Sequence, residues 1–475
     1  MMPIRRRGRS PGVRNRMTTF GVAFGLSLLL TWTLSAPVAA GVFPERVKNI
    51  NPVGSAAPQG LTEFNGKAFF SADDGSNGRE LWKSNGTGPG TSLIKNINPG
   101  APGSDPEWLT VVNGVLFFAA TGPDGRELWR TTGTKASTKQ VKDINPAGSS
   151  DPAELTAVGN TLFFRANDGA SGIELWKSDG TSTGTVRVKN IRPGAKGSTP
   201  AELTNVNGTL FFTARFKAPH ILVNRDLWKS DGTAAGTVRV YDFPPYYSTD
   251  VISELTAVGP LLLFAATVPN NEGADRELWK SNGTTAGTSR VKNINPEGWS
   301  EPNQLVEVDG TLFFSATDAT DGFDMELWKS NGTGPGTVKV EDINSGGSSN
   351  PESLAAVGDL LFFSADDGTH GRELWKSDGT ANGTEMLPEF NPTGGSRFEE
   401  ITDAAGAAYF MCDDGSNGEE LCTSDAAGNE TGLIDDLNNE GDSSPSDFLY
   451  VGHLLFHVSS GEFGDDRELW TYFVP

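Results

Sequence analysis

The chain has 475 residues and carries 60 Asp and Glu against 38 Lys and Arg, a formal net charge of −22. A surface this acidic repels phosphate backbones and anionic lipid, which excludes nucleic acid and negatively charged membranes as partners. Its four histidines (His220, His370, His453, His457) fall in no H-E-x-x-H spacing, so that metallohydrolase signature is not present.

The first forty residues read apart from the rest. Six arginines (Arg5, Arg6, Arg7, Arg9, Arg14, Arg16) precede the apolar run "FGVAFGLSLLLTWTLSA" and the small residues "PVAA". These are the basic, apolar and cleavage regions of an export signal over 1–40, with cutting expected after Ala40. An uncleaved anchor is the alternative, the apolar run lying near the lower limit for a spanning helix. Either way the remainder is expected outside the cytoplasm: secreted, periplasmic or on the cell surface. Without those six arginines, 32 basic residues face 60 acidic ones, a net charge of −28. No later segment is long and apolar enough to span a bilayer.

From residue 41 onward the chain repeats itself. Trp82 is echoed by Trp129, Trp176, Trp228, Trp279, Trp328, Trp375, Cys422 and Trp470, at intervals of 47 to 52 residues. Nine such units account for all of 41–475. Within one unit, "LTNVNGTLFF" (203–212) is two apolar runs joined by the tight-hairpin pair "NG". An Asp/Gly loop leads to "ELWKS", the turn "SDGTSTGT" (178–185) follows, and "VRVKNI" (186–191) alternates β-branched residues. No window shows helical periodicity over ten residues. Each unit is therefore four antiparallel strands, a to d, with a Pro-broken link such as "NPEGWSEPNQ" (295–304) to the next.

Repeated four-stranded units point to an all-β fold, a single closed β-propeller of nine four-stranded blades. The chain ends argue for closure over a linear stack. "VFPERVKNIN" (42–51) is a strand d with no a, b or c before it, and the last unit, 448–475, stops after strand c. The N-terminal strand is thus expected to join the last blade, leaving no unpaired edge.

The motif "ELWKSDGT" followed by "ANGT" at 373–384 resembles the signature of bacterial ELWxxDGT-repeat proteins. The resemblance covers the whole of 41–475 and implies an exported, propeller-like repeat scaffold without implying a reaction. Departures are Asp226 for the first Glu, "TTGT" at 131–134, and "SDAA" at 424–427. The "SDGT" turns also resemble the Asp-box turns of sialidase-like propellers, which are structural.

The chain's two cysteines lie in the eighth unit, "MCDDGSNGEELCTSD" (411–425), at positions that elsewhere hold Ala and Trp. On a hairpin turning near Asn417, Cys412 and Cys422 are expected directly opposite each other, close enough for a disulfide in an oxidising compartment.

Two kinds of ligand site suggest themselves, both on the face that carries the b–c loops and the d–a links. The b–c loops are acidic, with Asp73, Asp74, Asp124, Asp168, Asp366, Asp367, Asp413, Asp414, Asp465 and Asp466. Asp-Gly pairs make turns on their own; the alternative is a Ca²⁺ site using Asp73, Asp74, Asp366, Asp367, Asp413 and Asp414. Otherwise no cofactor or metal is expected. The repeat breaks its own rules in the fourth and fifth units, at "RFKAPHILVNR" (215–225), "YDFPPYYSTD" (241–250) and "VPNNEGADR" (268–276). Arg215, Lys217, His220, Tyr246, Tyr247 and Trp299 could form a lip for an extracellular glycan or protein, a loop folded over the channel mouth being the alternative. The expected protein is a monomeric, non-enzymatic binding scaffold. The competing readings are a polysaccharide hydrolase or lyase using b–c loop aspartates, and a purely structural surface protein.

Overall fold

The computed structural model describes residues 43–100, 102–216, 225–244, 251–270, 273–318, 324–392, 394–439, 441–461 and 464–474. Among them, strands alternate with turns throughout and helix is confined to one short 3-10 turn, Ala381–Gly383. No helix of the described residues is long and apolar enough to cross a membrane. The hairpin signal works as its chemistry requires. Val206 pairs with Thr209 across Asn207 and Gly208, whose φ angles of 47° and 83° match the left-handed pair of a type I′ turn.

The strands form nine four-stranded sheets, a nine-bladed β-propeller. In blade 1, strands a to d are Gln59–Glu63, Ala68–Asp73, Arg79–Ser84 and Ser92–Lys95. Strand a is innermost, and the a strands of successive blades lie side by side around the ring, the ninth against the first. Blade 9 takes a, b and c from Ser446–Val451, Leu454–Gly461 and Gly464–Phe473, and d from Glu45–Lys48 at the other end of the chain. Glu45 pairs with Thr471 and Arg46 with Trp470. The expected closure is found.

On strand c, neighbouring side chains point to opposite faces, so Leu and Trp serve different interfaces. Leu81 packs with Phe69, Phe118 and Trp129 of the blade 1–2 interface. Trp82 packs with Phe456 and Leu469 of the blade 9–1 interface. Blades covered on both sides explain the unbroken apolar runs of strand b.

Blade 8 corrects one expectation. Cys412 and Cys422 form a disulfide with Cα atoms 5.9 Å apart, but they are not opposite each other. Register places Cys412 against Glu420 and Cys422 against Phe410, so the bridge runs diagonally. The same diagonal relates Ala72 to Trp82 in blade 1, where Phe70 pairs with Trp82: a small residue leaves room for the indole. In blade 8 the two sulfurs occupy that space, and Phe390, Phe398 and Phe410, with ring centroids 5.2 to 5.8 Å apart, fill the rest. Replacing both cysteines by alanine should cost roughly 2–3 kcal/mol, from lost loop-closure constraint and packing. Urea unfolding with and without reductant measures it, and the reductant effect should vanish in the double variant.

Candidate functional site

The acidic b–c loops of blades 1, 7 and 8 are turns that satisfy themselves. Asp73 accepts from the Gly75 N–H at 2.8 Å, and Asp74 from the N–H groups of Ser76 and Asn77 at 2.9 and 2.7 Å. Asp366, Asp367, Asp413 and Asp414 repeat the pattern. Burial alone would raise the carboxyls of Asp74, Asp367 and Asp414, but these donors outweigh it and hold all three below the usual range. Among the described residues the group of acids that converges is a different one, Asp324, Glu326 and Asp342. Lys339 already stands 3.3 Å from Asp318 and 3.8 Å from Asp324.

Two further sets of carboxylates escaped the sequence reading. The Glu of each "ELW" is fully buried and ties down the following d–a link. Glu127 accepts from the backbone N–H of Ile144 at 3.0 Å and of Ser150 at 3.0 Å, and from the Ser150 hydroxyl at 2.6 Å. Glu80, Glu174, Glu277, Glu326 and Glu420 hold Ser104, Ser198, Ser300, Ser349 and Ser443 in the same way. Blade 4 changes both partners: Asp226 replaces Glu, Val251 replaces Ser, and Arg239 supplies the counter-charge at 3.1 Å. Burial raises these carboxyls, to about 7 at Glu277, Glu373, Glu420 and Glu468 and to about 6 at Asp226, against the pull of their donors.

The second set lines the channel mouth. Strand a of every blade carries a bulge near its start, at Gly60, Trp108, Glu154, Glu202, Glu254, Gln304, Ser353, Glu400 and Asp447, all with φ between 54° and 67°. Eight of the nine are not glycine, a conformation that costs energy unless its surroundings hold it. The hold is a hoop of hydrogen bonds between blades. Glu202 accepts from Leu255 N–H at 3.2 Å, Glu254 from Leu305 N–H at 3.3 Å, and Asp447 from Leu61 N–H at 3.2 Å. Glu202 is pushed up to about 7, by burial first and by the flanking charges of Glu254 and Glu154. Trp108 takes this position in blade 2 and stays 45 % exposed. The sequence signal was present as the acid ahead of Leu in "AELT" and "SELT", hidden because it resembles an ordinary exposed strand position.

Of the expected lip, Lys217, His220, Tyr246 and Tyr247 lie outside the described residues. Arg215 pairs with Arg225 at the mouth of the blade 4 hairpin. Beside it the half-exposed Phe216 ring lies 5.7 Å from Trp228, with the Arg239 guanidinium 5.2 Å over its face. Trp299 is 49 % exposed, its backbone fixed by Asn295, which donates to its carbonyl at 3.0 Å. Arg215 and Trp299 share a face, and no hydrogen bond or ring contact joins them among the described residues. His457 is buried against Ser459 at 2.8 Å, with burial pushing it down to about 3, and His370 pairs with Asp367 at 2.7 Å.

No protein-family model and no curated protein matches the chain. Solved structures that resemble it are propeller-bearing proteins. They include an oligogalacturonate lyase in complex with manganese (12% identity, TM-score 0.39, covering 89% of this chain and 98% of that one). Another is the β-propeller domain of the Trilobed protease from Pyrococcus furiosus (10%, 0.37, 69% and 96%), and a third a puromycin hydrolase (14%, 0.40, 76% and 59%). The chain thus spans under two thirds of the puromycin hydrolase. At these identities the likeness concerns the fold alone.

Proposed function

We propose that this chain is an exported ELWxxDGT-type repeat propeller that binds an extracellular glycan or protein, without turnover, at the channel mouth carrying the b–c loops and d–a links. One observation carries the reading. The acids of the blade 1, 7 and 8 loops cap their own turns, the "ELW" glutamates pin links, and Glu202, Glu254 and Asp447 join blades, while the aromatic faces of Trp108, Phe216 and Trp299 stand exposed beside them. Aromatic surfaces with polar margins suit sugar rings and peptide side chains alike.

A second reading, a hydrolase or lyase acting on extracellular polysaccharide, is favoured by the run Glu154, Glu202 and Glu254, whose middle member has a carboxyl near 7. A glycan array and a hydrolysis screen on the protein separate the two. Under the binding reading, Trp299→Ala weakens the captured ligand about tenfold and no product forms. Product formation lost in Glu202→Gln would establish the enzyme instead, and absence of any ligand would leave a structural surface protein.

A further inference from the structure

The outer edge of the propeller contains a repeated ammonium slot. In blade 9 the last residue of strand d, Lys48, sends its Nζ 3.0 Å from the Thr91 carbonyl and 5.7 Å from the centre of the Trp82 ring, both in blade 1. Lys95 does the same to Thr138 at 2.9 Å and Trp129 at 5.3 Å, and Lys292 to Thr337 at 2.9 Å and Trp328 at 5.5 Å. Lys142 and Lys189 reach Thr185 and Thr237 at 2.9 and 2.7 Å. In these seams the receiving blade presents a backbone carbonyl and, at Trp82, Trp129 and Trp328, an indole face, and the previous blade inserts a cation there.

Elsewhere the inserted residue changes. Tyr241 takes it in blade 4, its ring tilted against Trp279 with centroids 5.7 Å apart, while Glu341 and Pro388 hold it in blades 6 and 7. In blade 8 it is Asp435, too short and of the wrong sign. The receiving groups remain, Trp470 and Pro44, which precedes Lys48 by the four residues that separate Thr91 from Lys95. A cavity of about 340 Å³ stands there, lined by Pro44, Asp435, Asp436, Asp466 and Trp470, with Arg46 as its cation. One oxygen each of Asp436 and Asp466 is buried with no hydrogen-bond partner among the described residues. The Trp470 ring is fixed by its N–H, which donates to the Ser459 carbonyl at 3.0 Å.

We infer that the seam between blades 8 and 9 is a binding site for an alkylammonium group, which takes the place that a lysine of the previous blade fills elsewhere in the ring. The ligand's methylenes lie over Trp470, and its three N–H groups face the Pro44 carbonyl and the unpartnered oxygens of Asp436 and Asp466, with Asp435 adding negative charge beside them. Three carboxylates against one guanidinium leave room for a further positive charge, and give the slot a preference for amines over neutral alcohols of the same shape.

Titration of the full protein with n-butylamine, followed by calorimetry and by the Trp470 indole N–H resonance, tests this. Saturable binding that n-butanol and butyrate do not reproduce is expected. Asp435→Lys should abolish it and raise the thermal midpoint, because the tethered ammonium then fills its own slot. Asp435→Asn should weaken it about five- to tenfold. Nα-acetyl-lysine amide tested beside butylamine distinguishes a side chain of a protein partner from a free amine. No saturation up to about 50 mM, equal binding of butanol, or unchanged binding in Asp435→Lys would each overturn the site.

Discussion

A variant that begins at residue 52, lacking strand d of blade 9, is expected to lose the closed ring. Deletion removes the pairing of Glu45, Arg46 and Lys48 with strand c. It also takes the N–H groups of Ile50 and Asn51 away from Glu468, which they reach at 3.0 and 3.1 Å, and leaves that carboxylate buried without its backbone donors. Ile50 is core and Val47 packs against the same cluster, so lost burial adds about 1.5–3 kcal/mol for each large side chain. A total on the order of 5 kcal/mol is expected, together with a bare strand edge that invites association between chains. Size-exclusion chromatography should show aggregate and larger species than the parent chain gives. A peptide covering 41–51, added in excess, should restore the parent's elution and raise the thermal midpoint as its concentration rises. A truncated chain as stable as the parent and eluting with it would mean that closure contributes little, and that contacts between the inner strands suffice to hold the ring.

That closure was legible because it is written in large residues and in order. A tryptophan recurring in eight of nine units gives the period, and a lone strand d at one end matches a blade lacking d at the other. The disulfide was legible as a pair but not in its geometry: counting inward from the turn pairs positions across the hairpin, whereas the bridge follows the diagonal that Ala72 and Trp82 already use. What stayed hidden was polar. The Glu of "ELW" sits on a strand whose exposed or buried state no alternation rule decides, and its partners are backbone N–H groups, which leave no residue signature. Only its serine does. Glu127 and Ser150, or Glu80 and Ser104, recur at a separation of 23 or 24 residues, and blade 4 changes both at once, to Asp226 and Val251. The channel hoop was hidden for a similar reason, since a bulge moves one residue per strand off the regular alternation. Of the expected lip, Arg215 and Trp299 were singled out by irregularity alone, a signal that marks a place without revealing its chemistry.

Replacing one buried link-pinning carboxylate should be nearly as damaging as a core deletion. Glu127 is wholly buried, and its two oxygens meet the N–H groups of Ile144 and Ser150 and the Ser150 hydroxyl. In Glu127→Ala those donors lose their acceptor; in Glu127→Gln the new amide N–H₂ turns donor against donor. Either variant should lose about 2–4 kcal/mol in urea unfolding, with Ser150→Ala costing less because the backbone donors stay paired. The same carboxyls set the pH dependence. Burial raises Glu127 above its ordinary value and takes Glu277, Glu373, Glu420 and Glu468 to about 7. The stability they confer is therefore complete below the unfolded value near 4.5 and is lost as pH rises through 7. The turn-capping Asp74, Asp168, Asp367 and Asp414 act in the opposite sense, being held low; their contribution is present above about 3.8 and fades as pH falls below it. The thermal midpoint should accordingly be highest near pH 4–5 and fall by on the order of 5 °C by pH 8, with Glu127→Gln narrowing that drop. The serines make protonation tolerable, since Ser150 can turn its hydroxyl toward the Arg126 carbonyl at 3.5 Å and accept the carboxyl proton. A midpoint that rises from pH 5 to 8 would show the opposite balance: donors strong enough to keep all of these buried groups ionised, and links held by charge rather than by a shared proton.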